Sequence, residues 1–136
     1  MTTIDNNKPL VVTALPQRSY QGPQTVLLAT DGTGYANASV DLAINLAHHN
    51  GAQLIITYFA DPNDPGAYEG MACQNNTEWH ERGRNILQKT EERARAGGVE
   101  NVKTVLEPNP LAETLPDLAA RMGADMIVVA SHLFGN

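Results

Sequence analysis

Val26-Leu27-Leu28-Ala29-Thr30-Asp31-Gly32 is the stretch whose reading decides the fold. An unbroken apolar run from Val26 to Ala29 describes a strand covered on both faces, and Asp31-Gly32-Thr33-Gly34 then ends it in a tight turn. A sheet with one wet face would read instead as alternation, so the run points to parallel strands between layers of helix. Onward from the turn, Ala36, Val40, Ala43, Ile44 and Ala47 recur at helical spacing, and His48-His49-Asn50-Gly51 supplies a stop with Gly51 in the left-handed cap. Leu54 to Phe59 reads as a second buried strand, which Asp61-Pro62-Asn63-Asp64-Pro65-Gly66 breaks into a loop. These pieces make one βαβ unit.

The loop runs on through Gly70 and Asn76, a length that suits a functional or mobile segment better than a plain connection. Trp79, Gly83, Ile86, Leu87, Thr90 and Ala94 then mark one face of a second helix, ended by Gly97-Gly98. A third strand over Val102 to Leu106 carries the polar Lys103 and Thr104, which places it nearer a sheet edge than the first two. Asn109 suits a cap and Pro110 the first position of a helix whose stripe is Leu111, Leu115, Leu118, Ala119 and Met122. Pro116 inside that span predicts either a kink or a later start. Gly123 closes the helix, and Met126 to Ala130 is the fourth buried strand. The expected fold class is α/β: an open, mostly parallel sheet with helices on both faces. Residues 25–136 are read as a single domain, and residues 1–24 as an N-terminal extension in which Pro9 to Leu15 is either an extra strand or part of a terminal tail.

A chain of 136 residues and 14.7 kDa matches one hydrophobic core. Mean hydropathy is -0.29, and no stretch approaches the roughly 20 apolar residues of a membrane helix, so no membrane association is expected. The net charge of -6 repels a phosphate backbone, which argues against nucleic acid as a partner. Cys73, the single cysteine, cannot form an internal disulfide, and the Pro9 to Leu15 run lacks the flanks of a signal peptide, so a cytoplasmic setting is expected.

In open parallel sheets ligands bind beyond the carboxyl ends of the strands, where the strand order reverses. Asp31 stands at such an end, and its carboxylate either accepts hydrogen bonds from a ligand or caps the turn it begins. Gly32 and Gly34 permit close backbone approach, although Asp-Gly-Thr-Gly is neither a dinucleotide fingerprint nor a P-loop. His48 and His49 read as a helix end, and His80 with Cys73 is too small a set for a metal, so no metal ligand is assigned. Ser131 and His132 are adjacent in an extended segment and point to opposite faces, so no nucleophile is activated and no catalytic residue is assigned.

Together, Val26 to Gly32, the Ala-rich helix, Leu54 to Asp61, Gly97-Gly98-Val99 and Ala124-Asp125-Met126-Ile127-Val128-Val129-Ala130-Ser131-His132 resemble the universal stress protein family, over about Thr25 to His132. The resemblance implies an adenine nucleotide alpha hydrolase-like domain, a five-stranded parallel sheet and a homodimer. In family members that bind nucleotide, it places the adenosine contacts on Asp31, with Ala29, Thr30 and Gly32 beside it and Phe59 against the base. The phosphate part would fall on Ala130, Ser131 and His132. Where the family motif has glycines, this sequence reads Ala130-Ser131-His132-Leu133, and it ends before the motif's later Gly-Ser pair. Cβ atoms at Ala130 and Leu133 obstruct the approach of phosphate to backbone N–H groups, so ordinary triphosphate binding is not expected. The last family helix and fifth strand also fall outside these residues, and Pro9 to Leu15 is expected to cover the edge they would occupy. The favoured function is a regulatory or protective module acting through dimerisation and protein partners, and not an enzyme. The alternative is a stress protein that binds ATP or another adenine nucleotide through a degenerate phosphate loop. A nucleotide-handling enzyme of the same superfamily ranks last, because Asp31-Gly32-Thr33-Gly34 lacks that group's Ser-Gly-Gly-x-Asp-Ser pattern.

Overall fold

The structure is a computed structural model, described over residues 22–59, 77–107 and 114–130. The first strand, β1 (Thr25–Thr30), leads through a short 3-10 turn into α1 (Asn37–Asn50) and then β2 (Gln53–Tyr58). Next come α2 (Thr77–Ala96), β3 (Val102–Val105), α3 (Leu115–Met122) and β4 (Met126–Val129). All pairings are parallel and the order is β3-β2-β1-β4, so β1 is flanked on both sides while β3 and β4 are the outer strands among the described residues. The open parallel α/β sheet is as read from the sequence. Strand limits differ from that reading by one residue: β1 begins at Thr25, β2 runs from Gln53 to Tyr58 and so is shifted at both ends, and β3 and β4 stop at Val105 and Val129.

Alternation along each strand divides the core. Val26 and Leu28 of β1, with Leu54 and Ile56 of β2, pack against Val40, Ala43 and Ile44 of α1 and Leu87 and Ala94 of α2. Leu27 and Ile55 face the other way, onto Leu118 and Ala119 of α3. Two helices therefore cover one face and α3 the other. Val26, Leu27, Leu28 and Ala29 are fully buried, which explains the unbroken apolar run.

The helix ends follow local chemistry. Gly51, in left-handed conformation, stops α1 and donates its N–H to Ala47 and His48. Thr114 caps α3, its hydroxyl accepting from Asp117 N–H at 3.3 Å, and Pro116 sits in the first turn. Of the two outcomes expected at Pro116, the later start is the one observed, since a proline in the first turn leaves no intrahelical donor missing. Asn109, Pro110 and Leu111 lie outside the described residues, as do the Pro9 to Leu15 segment and the long loop after β2.

At the amino end of the sheet one side chain joins elements a hundred residues apart. The Asp125 carboxylate accepts from Gln24 N–H at 3.0 Å and from Thr25 N–H at 3.0 Å, while Asp125 N–H donates to the Thr25 carbonyl at 3.0 Å. Arg93 of α2 is paired with Asp41 of α1 and lies 3.4 Å from Asn37 Oδ1, joining the two helices on the same face. Replacing Asp125 by Ala leaves two strand-leading N–H groups without their acceptor while keeping the backbone bond. Urea denaturation should then report a loss of about 1 to 2 kcal/mol, the lower part of the range for bonds to a charged group because the site is exposed.

Candidate functional site

The order β3-β2-β1-β4 puts the reversal of the chain between β1 and β4, so the crevice favoured by this architecture opens at their carboxyl ends. Register fixes what meets there. Ala29 pairs with Val129 and Thr30 with Tyr58, which sets Ala130 level with Thr30 and Phe59 level with Asp31. Five of the residues singled out from the sequence, Thr30, Asp31, Gly32, Phe59 and Ala130, thus share one end of the sheet.

Their roles differ. Thr30 is buried; its hydroxyl accepts from Gly32 N–H at 3.1 Å, and its carbonyl accepts from Phe59 N–H at 3.0 Å. Asp31 is half-buried, and its Oδ1 accepts from Thr33 N–H at 2.9 Å and from the Thr33 hydroxyl at 2.7 Å. The capping role weighed for Asp31 is therefore present, and it fixes where the carboxylate stands. Ala29 is fully buried and packs its methyl group with Leu115 and Val129, against which Phe59 also lies. Its side chain belongs to the core, leaving its backbone as the part nearest the crevice. Ala130 is buried at the end of β4, and Ser131 and His132 lie outside the described residues.

The turn is held from below by α2. Gly32 has φ +78°, and a Cβ there would stand 2.6 Å from Ile86 Cδ1. Two constraints, left-handed backbone and the Ile86 side chain, thus require glycine at this position. Farther along α2, a Cβ on Gly83 would meet Leu106 at 2.7 Å and Tyr58 at 3.0 Å, so the absence of one lets the helix lie close on the ends of β2 and β3. On the outer lip Tyr35 is 83% exposed.

Some features had little signal in the sequence. Trp79 was legible as core-facing, but its ring lies 5.0 Å from Tyr58 at the carboxyl end of β2, and its indole N–H has no partner among the described residues. A groove of about 310 Å³ opens at the opposite, amino end of the sheet, between Ala47, His48 and Gly51 on one side and Gly98, Glu100 and Asn101 on the other. There His48 Nδ1 donates to the Gly98 carbonyl at 3.2 Å, a contact between helix ends that no sequence spacing announces. Among the described residues no group of three or more His, Cys, Asp and Glu is arranged to hold a metal, and no helix is long and apolar enough to cross a membrane.

The sequence profile of the universal stress protein family matches residues 23–133. The chain belongs to the universal stress protein family. Proteins bearing the universal stress protein name in Staphylococcus haemolyticus and Staphylococcus epidermidis are 30% and 32% identical over 106 residues, 77% of this chain. This universal stress protein spans 64% of the length of those relatives. Among solved structures, a family member from Burkholderia pseudomallei is 28% identical with a TM-score of 0.60, covering 86% of each chain. A Mycobacterium tuberculosis protein is 27% identical with a TM-score of 0.60, covering 82% of this chain and 74% of that one. A universal stress protein in complex with cAMP is 27% identical with a TM-score of 0.50, covering 77% of this chain and 70% of that one.

The Gly32 turn yields a double-mutant test. Gly32→Ala should destabilise the protein by about 1 kcal/mol from the left-handed backbone alone, with a further penalty from the Ile86 contact. In the Ile86→Ala background that second part should vanish, so chemical denaturation of the four proteins should show the double variant less destabilised than the sum of the two single variants.

Proposed function

We propose that this universal stress protein is a regulatory module that binds an adenine nucleotide with a short phosphate part, cyclic AMP foremost, over the carboxyl ends of β1 and β2, and acts as a cytoplasmic homodimer on protein partners. The observation that carries the ligand half is the turn at Asp31. Its carboxylate is held by two bonds from Thr33 at the mouth of the crevice, in a fold shared with a protein crystallised with cAMP. A prearranged acceptor spends little ordering entropy on binding, which suits a ribose hydroxyl or an adenine amino group. A cyclic nucleotide carries one phosphate and makes less demand on the glycine cradle than a triphosphate does, so Ala130 in place of glycine favours it over ATP. The dimer half rests on β4, an outer strand with β1 as its one partner among the described residues, since an open edge attracts a further strand or a second chain. The reading includes no turnover.

Calorimetry with cAMP, AMP and ATP is the direct test. Saturable binding of cAMP or AMP, weaker binding of ATP and no hydrolysis are expected; tight ATP binding with turnover would overturn the proposal. Asp31→Ala should weaken adenosine and cAMP alike, by roughly 10- to 100-fold, because a charged hydrogen bond to the nucleoside half is lost from both. Asp31→Asn retains an oxygen for the Thr33 cap, so it separates loss of the turn from loss of charge. Sedimentation equilibrium should give a dimer, and a monomer at all concentrations would remove that half of the reading.

A further inference from the structure

Trp79 is the only tryptophan in the chain; it is 3% exposed, and its indole Nε1–H has no hydrogen-bond partner among the described residues. An indole N–H can only donate, and buried donors are nearly always paired, so an orphan of this kind asks for an explanation. Its position supplies one. Trp79 is the third residue of α2, and helical side chains lean toward the helix N-terminus, which here follows from the carboxyl end of β2. The ring lies 5.0 Å from Tyr58 at an interplanar angle of 51°, and His80 stands edge-on at 5.5 Å. Tyr58 pairs with Thr30, the residue before Asp31, so the orphan donor sits at the same end of the sheet as the Asp31 turn, over β2.

We infer that the Trp79 indole N–H is a donor kept for the ligand of this site, and that it takes a neutral acceptor nitrogen or oxygen on the base or ribose of an adenine nucleotide. The inference rests on the proposed nucleotide reading and assigns a contact beyond it. Two observations select the nucleoside half over a phosphate. The surroundings are aromatic, which suits a flat heterocycle, and Glu81 places a negative charge near the start of the helix, which disfavours an oxyanion. Because the N–H is closed to solvent without ligand, the ring or the first turn of α2 must shift to admit the acceptor, and the environment of the single tryptophan changes when it does.

The test titrates the full chain with cAMP and with adenosine, reading calorimetry and tryptophan emission together. Emission should change saturably with both ligands at the calorimetric affinity. Trp79→Phe keeps an aromatic ring against Tyr58 and removes the donor. It should bind both ligands roughly tenfold more weakly, while its ligand-free melting temperature stays equal or rises because no buried donor is left unmet. A purely structural tryptophan gives the reverse, a lower melting temperature with unchanged affinity, and that result overturns the inference while leaving nucleotide binding in place. Calorimetric saturation of the unmodified protein without any change in emission overturns it as well, and needs no variant. If the unmodified protein binds neither ligand, the nucleotide reading itself fails and takes this inference with it.

Discussion

Burial of β1 on both faces is the constraint from which the rest of the molecule is built. A strand with no wet side must find hydrogen-bond partners for every backbone group, because an unpaired buried amide costs as much as the bond it lacks. Here β2 and β4 supply them along its length. At the ends, where the ladders run out, side chains take over: the Asp125 carboxylate receives the leading N–H groups, and the Thr30 hydroxyl receives that of Gly32. The turn bearing Asp31 is thus a continuation of the most constrained strand in the protein. Its position is set by the core as well as by its own loop.

The period of two then makes the carboxyl end of the sheet a surface with unlike sides. Residues in phase with Val26 and Leu28 bring Tyr58 and Leu106 toward α2, where Trp79 and Ile86 meet the strand ends with an aromatic pair and a buttress under Gly32. Residues in the opposite phase bring Ala29 and Val129 toward α3, where Leu115 and Phe59 complete a small apolar cluster. A shift of one residue in β1 would exchange these sets, so specification of the core and of the crevice is a single event.

Much of this was legible in the amino-acid order because it is periodic. Apolar runs marked β1, β2 and β4, a mixed run with Lys103 and Thr104 marked β3, and the stripe from Trp79 to Ala94 marked a helix whose buried face is the one read. Local signals were legible too: Gly51 stops α1 as expected, and Pro116 implied a kink or a later start, of which Thr114 provides the second. Contacts between residues far apart in the chain carried no such signal. Nothing in the spacing of Asp125 and Gln24 announces their bond, and nothing joins His48 to Gly98 before the ends of α1 and α2 are brought together. Trp79 shows the same limit within one residue, since its core-facing position is a matter of spacing and its unmet donor is a matter of neighbours.

Asp31 shows why two readings of one residue need not compete. A carboxylate has two oxygens and about four acceptor positions, and two bonds from Thr33 to Oδ1 orient the group. An uncapped aspartate at a strand end would sample several rotamers and lose that freedom on meeting a ligand. The cap removes the freedom during folding. The Thr33 side chain, itself outside the crevice floor, therefore acts on any ligand of this site through Asp31, and the sequence Asp31-Gly32-Thr33 operates as one unit: an acceptor, a residue able to take the left-handed turn, and the donor that fixes the acceptor in place.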